Sequence, residues 1–335
     1  MSDFIEKETG EKVVVFQIAP AARVSIGEEF GLPVGTVVTE QLVAGLKALG
    51  ADYVFDVSFG ADFTTIEESK EIISRKNEFP IFTSCCPNWV KYVELQRPEL
   101  IPNLASTRSP HIILGGIIKT FWSEKKGITP ESIFVVSLMP CVSKKFEIKR
   151  SELEFSGLRP VDKIITVREA AQMMKRRGID LATINPVNLD DPFARPSGSG
   201  INYGASGGVM ESVLRNIGVD GVEFRTVSEG IREAEIVVNG KHLKVAVVNG
   251  LGNVEGLIKK GLSEYHFVEV MSCPGGCIGG GGQPVPSDNE IKKKRREALR
   301  SISGRPVSIS DTIIKEVYEY FNGDARIFHT KYHKQ

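Results

Sequence analysis

With 335 residues, 41% of them hydrophobic and 25% charged, the chain has the composition of an ordinary globular protein and length enough for one large domain or two modest lobes. Lys plus Arg and Asp plus Glu are both 42, so the net charge is zero, which excludes the Lys/Arg excess that a broad nucleic-acid surface requires. No run approaches the ~18 apolar residues of a membrane span. The start "MSDFIEKETGEKVVVF" carries acids where a secretory leader has a basic start and an apolar stretch, so the expectation is a cytoplasmic protein with reduced thiols.

In chain order, "KVVVFQIAP" reads as a buried strand, followed by a helix starting near Ala21 and another across "TEQLVAGLKALG". "ADYVFDVSFG" is a second strand and "TTIEESKEIISRK" a helix. "PIFTSCC" is a short strand, a long helix runs from about Ser109 to Lys125, and "SIFVVSLMPC" is a strand ending on a cysteine. The second half continues with "KIITVREAAQMMKRRG", a Gly-rich stretch opening the helix "GVMESVLRNIG", a hairpin turned at Asn239-Gly240, and the strand "YHFVEVMSC". Helical segments at 289–303 and 310–322 trail into "IFHTKYHKQ". Loop 186–200, "PVNLDDPFARPSGSG", is the candidate lid or lobe connection. The basic run "KKKRREALR" at 292–300 reads as a solvated helix face, with a docking patch for an acidic partner as the alternative. Apolar strands alternating with amphipathic helices predict an α/β fold: two lobes of mostly parallel sheet flanked by helices.

The five cysteines are Cys85, Cys86, Cys141, Cys273 and Cys277. Each sits beside Pro or Gly at the end of a predicted strand, where ligands bind in open α/β sheets. One of the vicinal pair plus the other three makes four, enough for an iron–sulfur cluster or a tetrahedral zinc. Cys-x3-Cys in "CPGGC" is wider than the Cys-x2-Cys usual for structural zinc, and glycines at 275, 276 and 279–282 let backbone N–H groups approach sulfur or an anion. Met139 and Met271 add apolar sulfur near the same loops. The residues alone point to a buried metal–sulfur site between the lobes and leave the metal open.

"TSCCPNW", "MPCVSKKFE" and "VEVMSCPGGCIGGGGQP" resemble, in order and spacing, the three signature segments of the catalytic domain of iron-only (FeFe) hydrogenases. "QIAPAARVSIGEEFG", "FGADFTTIEE" and "GASGGVMES" extend the resemblance from about Val13 to Pro284, and "HTKY" is similar to the family's small-subunit segment. The resemblance implies a catalytic region 1–284 in two lobes, about 1–165 and 166–284, with a small-subunit-like helical tail 285–335. It implies an H-cluster: a 4Fe–4S cubane joined to a di-iron unit with CO, cyanide and aza-dithiolate ligands. Cys86, Cys141, Cys273 and Cys277 would ligate the cubane, with Cys277 bridging, and Cys85 would remain a free, proton-carrying thiol. Lys144 would donate to a cyanide, Met139 and Met271 would pack on the di-iron unit, and Ala19 and Pro20 would wall it. Ser109, Pro110, His111 and Tyr203 are further cofactor contacts by motif position.

The implied reaction is 2H⁺ + 2e⁻ ⇌ H₂, with a proton relay continuing through Glu68, Glu71 and Arg75, which the i, i+3, i+7 spacing puts on one helix face. Read without the resemblance, that trio is an exposed ion-pair stripe. Three positions depart from the family pattern around the pocket: His111 for glutamine, Tyr203 for phenylalanine and Gly279 for asparagine. A fourth, Ala105, replaces the serine between the two relay glutamates, so that water or Ser106 would have to bridge. With the cysteines all assigned, this chain has none for accessory clusters, and electrons are expected from a ferredoxin or similar redox protein. Maturation proteins are expected to insert the di-iron unit. The alternatives are a sensory relative with low turnover and a non-catalytic iron–sulfur assembly protein of the same family.

Overall fold

The computed structural model describes residues 11–75, 80–238, 240–304 and 311–334. Strands β1 (Val13–Ile18), β2 (Tyr53–Asp56), β4 (Ile133–Met139) and β5 (Lys163–Thr166) form a parallel sheet in the order β2-β1-β4-β5. A second sheet, in the order β3-β9-β8-β7-β6, joins β3 (Ile81–Phe82), β6 (Arg225–Ser228), β7 (Ile231–Val238), β8 (Lys241–Asn249) and β9 (Tyr265–Met271). Here β3, β9 and β8 run parallel, whereas β8, β7 and β6 are antiparallel. The expected α/β class and mainly parallel strands are present. The β7–β8 hairpin pairs Val238 with Lys241, leaving two residues for its turn, of which Asn239 lies outside the described residues.

The helices are α1 (Thr39–Ala48), α2 (Val57–Ser74), α3 (Pro87–Gln96), α4 (Pro110–Ile117), α5 (Lys144–Glu147), α6 (Val167–Arg176), α7 (Gly198–Asn202), α8 (Gly208–Asn216), α9 (Leu251–Lys260), α10 (Asn289–Ser301) and α11 (Thr312–Phe321). Local chemistry sets several boundaries. Asp56 caps α2 by accepting from Ser58 N at 2.8 Å, and Thr166 with Glu169 forms a capping box at α6. The long helix expected over 109–125 is α4 continued through a π turn, Ile118–Trp122, and one further turn, Ser123–Lys126. The segment near Ala21 is two 3₁₀ helices, Pro20–Ala22 and Ile26–Phe30, the first opened by Pro20 and the second closed by the left-handed Gly31 (φ 76°).

Strand alternation divides the first core. Val14, Phe16, Val136 and Leu138 face α1 and α6, meeting Leu42, Leu46 and Met174. Val15 and Val135 point the other way, into the layer with Ile113, Trp122 and Phe55. The second sheet does the same, with Val247 and Phe267 against Val213 of α8, and Val248 and Val268 against Leu257 of α9. Helix α2 runs between the two halves, packed on α4, α7 and α8.

Two expectations about organisation need correction. A division at about 165/166 does not match the sheets: β3, at residues 81–82, pairs with β9 in the second sheet, so the early chain crosses over to build both. The loop 186–200 is tied down, because Asp190 exchanges hydrogen bonds with the Val54 backbone, Phe193 is fully buried, and Ser197 N donates to Asp62 at 2.7 Å. The tail 285–335 is integral to the fold. Arg295 of α10, with no exposure, donates to Glu28 Oε1 at 2.7 Å and Ile278 O at 2.8 Å, and Val317 and Phe321 of α11 enter the first core.

Candidate functional site

Four strands from both sheets end at one place. Beyond β3, Thr83 stays on β9, with its N–H donating to Val268 O at 3.0 Å and its hydroxyl accepting from Val270 N at 3.1 Å. The chain then presents Cys85 and Cys86 before Pro87 starts α3. Strand β4 ends into Pro140-Cys141 and β9 into Ser272-Cys273, while β1 runs out at Ala19. All five cysteines line a single pocket walled by Ala19, Pro20, Met139 and Met271, with Pro110, His111, Lys144 and Tyr203 completing it. Sequence reasoning missed Val57 and Ala61 of α2, whose small or branched side chains form part of the wall.

The glycines of the last loop have specific spatial reasons. A Cβ at Gly276, which sits at φ 90°, would lie 2.4 Å from Ser206 N, and one at Gly280 would lie 2.4 Å from Pro140 O. Gly279 is equally constrained, since a Cβ there would lie 2.5 Å from Pro274 O.

Cys86, Cys141, Cys273 and Cys277 feel one another electrostatically. Burial pushes the Cys277 thiol up, and Cys141, Cys86 and Cys273 add to the effect. Cys273 is pushed up to about 11 by burial and then by Cys86 and Cys141. Cys141 is likewise raised, by burial first and with Cys86 adding to it. Among the described residues, however, no three such side chains come near enough to share one metal ion. A zinc site needs its sulfurs about 2.3 Å from one ion. Four thiolates from separate loops can also hold a polynuclear iron–sulfur cluster, each thiolate on its own iron.

Beside this set, Cys85 is a different thiol. It is buried, and its thiol is pushed well up, by burial first and then by the charge of Glu68. Glu68 of α2 is 1% exposed, and neither carboxyl oxygen has a hydrogen-bond partner among the described residues. Burial, and then Glu71, raise it well above the carboxylate range. Both groups therefore hold their protons. Lys144 donates to Cys85 O at 3.0 Å and pairs with Glu147 at 2.7 Å. Glu147 was not singled out from sequence, although it stands one helical turn after Lys144. Burial opposes its charge, but Lys144 and His111 hold the carboxyl down at about 2. His111 bonds Glu147 Oε2 at 2.6 Å and Ser137 Oγ at 3.2 Å, and burial and Lys144 lower its tendency to charge. The extra hydroxyl of Tyr203 finds Thr65 Oγ1 at 2.9 Å.

The relay trio is partly as expected. Glu71 pairs with Arg75 at 2.9 Å, which is the ion pair of the plain reading, but the same helix buries Glu68 completely. Ala105 is fully buried and offers no hydroxyl, while Ser106 N donates to both Glu71 oxygens at 3.0 Å. Ser109 is not in the pocket: it precedes α4 and lines a separate small cavity with Glu147, Arg150 and Tyr332, because Pro110 and His111 turn inward ahead of it.

Residues 12–281 match the family described as iron only hydrogenase large subunit, C-terminal domain. The chain belongs to this family. Iron hydrogenase 1 of Clostridium pasteurianum is 41% identical over 97% of this chain and 62% of its own length. The chain thus spans about three-fifths of that relative. A cytosolic Fe-S cluster assembly factor of Danio rerio is 32% identical, over 97% of this chain and 87% of its own. Among solved structures, an apo [FeFe]-hydrogenase from Chlamydomonas reinhardtii superposes with a TM-score of 0.87 at 34% identity, covering 99% of this chain and 98% of the other.

Proposed function

We propose that this iron-only hydrogenase domain catalyses 2H⁺ + 2e⁻ ⇌ H₂ at an H-cluster. Cys86, Cys141, Cys273 and Cys277 would hold its 4Fe–4S part, with Cys277 shared with a di-iron unit carrying CO, cyanide and aza-dithiolate. When bound, that group supplies the redox chemistry and the site at which H₂ forms or splits.

The remaining roles belong to the chain. Ala19, Pro20, Met139 and Met271 exclude water from the pocket. Lys144, a buried ammonium anchored by Glu147, faces the same pocket and suits an anionic ligand such as cyanide. Pro110, His111 and Tyr203 shape the pocket, with Ser109 held one residue back from it. The single observation that carries the reading is a fifth cysteine: Cys85, buried at the wall of the pocket and pushed well up, with Glu68, whose carboxyl oxygens have no hydrogen-bond partner among the described residues, behind it. A cluster-storage site has no use for such a proton-bearing pair. Glu71, paired with Arg75 at 2.9 Å, is the next carboxylate along α2.

Electrons would enter near the Cys273–Cys277 loop from a ferredoxin-like redox protein. A Cβ at Gly275 would lie 3.2 Å from Lys292 Cδ and 3.7 Å from Arg296 Nη2, so the basic run of α10 lies over this loop. Burial first, and then Arg232 and Arg300, lower the tendency of Arg296 to hold its charge, and the charge of this cluster adds to that of the run. That favours the docking alternative for the basic run and an acidic partner. Cytoplasmic residence and dedicated maturation proteins belong to the same reading; among the described residues, no helix is long and apolar enough to cross a membrane.

The test is infrared spectroscopy and H₂ turnover on protein loaded with a synthetic di-iron cofactor. CO and cyanide bands together with turnover are expected; their absence, or bands without turnover, refutes the proposal. A second reading, an iron–sulfur assembly factor, is favoured by the coverage of the Danio rerio relative. It predicts a stable cubane and no turnover.

A further inference from the structure

Glu71 is the last carboxylate on the line from Cys85, and its exit to solvent is ordinarily sought in Arg75. In this chain Arg75 is spent: it donates to Glu71 Oε1 at 2.9 Å, to Leu104 O at 3.2 Å and to Pro102 O. A guanidinium does not release a proton at working pH. Glu71 has a second neighbour. Ser106 Oγ donates to Glu71 Oε2 at 3.3 Å and bonds His329 Nδ1 at 2.9 Å. The other imidazole nitrogen, Nε2, bonds Glu67 Oε2 at 2.9 Å. Glu67 also accepts from Tyr318 at 2.6 Å and Lys70 at 2.7 Å. His329 comes from the tail, beyond α11, and its side chain is 27% exposed, against 10% for Glu71.

We infer that His329 and Ser106 form a proton-conducting branch that connects Glu71 to solvent. The inference rests on the hydrogenase reading. Burial opposes charge on Glu67, but His329, Lys70 and Tyr318 hold its carboxyl down at about 2, so it stays a carboxylate facing Nε2–H. A ring that takes up a proton from solvent is then an imidazolium, with Nε2–H clamped by Glu67 and Nδ1–H on Ser106 Oγ. Nδ1–H passes its proton to Ser106 Oγ, and the Ser106 hydroxyl proton passes to the Glu71 carboxylate. The ring is left neutral with Nε2–H in place, and one proton has moved with no change in electrons. The charged and titratable groups around this ring are Glu67, Lys70, Glu71 and Arg75 from α2, Tyr318 from α11, and Arg108, whose Nε donates to His329 O at 2.9 Å.

The branch is tested on the loaded full chain with His329→Gln, which keeps size and polarity but cannot shuttle. Turnover is expected to fall about tenfold or more, a modest share of what positioned acid–base groups contribute. Free imidazole is expected to restore part of the rate in His329→Gly and none in Cys85→Ser. Undiminished turnover in His329→Gln, or no rescue, overturns the inference. Nitrogen-15 NMR of the imidazole, assigned by its loss in His329→Gln, gives a readout independent of activity: Ser106→Ala should shift Nδ1, and Glu67→Gln should shift Nε2. Unmoved signals overturn the wire itself. An inactive wild type refutes the hydrogenase reading, and the flux with it, while the nitrogen shifts still decide whether the wire exists.

Discussion

Ala105→Ser puts a hydroxyl back where the chain has none, and the structure sets the size of the effect. Position 105 has no exposure, and its N–H is fixed on Phe82 O at 2.8 Å. Its neighbours are fixed as well, since Leu104 O accepts from Arg75 and Ser106 N donates to Glu71. A new hydroxyl therefore has little freedom to escape. If it meets Glu68, whose two oxygens lack partners among the described residues, the variant gains the net of one buried hydrogen bond, about 1 kcal/mol. If it meets nothing, a buried unpaired hydroxyl costs about 1–3 kcal/mol. The two cases differ in sign, so denaturant unfolding of the full apo chain separates them without any cofactor. The expected result is a stabilised variant that, once loaded, evolves H₂ faster. Destabilisation by ~1 kcal/mol or more shows that the hydroxyl cannot bridge the two glutamates. Stabilisation with an unchanged rate shows that the transfer between them does not limit turnover.

Cys86→Ser should lower bound iron and the cubane's visible absorption, whereas Cys85→Ser should keep both and lose most turnover; the opposite pattern exchanges the roles of the pair. Gly280→Ala introduces a methyl 2.4 Å from Pro140 O at an ordinary φ of −67°, so a purely steric loss of about 1–3 kcal/mol is expected in thermal unfolding, with weakened iron retention. Asp62 is raised by burial from 3.8 to about 7, so the folded chain keeps this proton to higher pH than the unfolded one. Its contribution is complete below about pH 4 and is lost as pH rises through about 7, a span on the order of 4 kcal/mol. Asp62→Asn should flatten the stability profile across that window, and an unchanged profile in urea titrations would contradict the assignment.

The α/β class was legible because β-branched runs such as "KVVVF" bury both faces of a parallel strand, and capping residues such as Thr166 and Glu169 mark where helices begin. The cysteine pocket was legible because every thiol sits at a strand end flanked by Pro or Gly. Periodicity says nothing about which strands become neighbours, so the pairing of Ile81–Phe82 with β9 stayed hidden and a contiguous two-lobe division looked natural. Motif position placed His111 in the pocket but carried Ser109 with it, since only the backbone turn at Pro110 separates their directions. Glu147 and His329 act through side chains reached across the fold, at sequence separations of 36 from His111 and 223 from Ser106. Spacing along one helix cannot show contacts of that range.

The crossing of β3 into the far sheet also bears on how the protein is made. Cys86 and Cys141 precede β9 in the chain, whereas β3, which touches Leu104 locally, gains its sheet partner only with β9, and the last two thiols follow directly behind that strand. No early segment can form a finished four-cysteine cradle during translation. A polypeptide that ends before Cys273 lacks two of the four thiols and does not yet have the strand on which the vicinal pair is set.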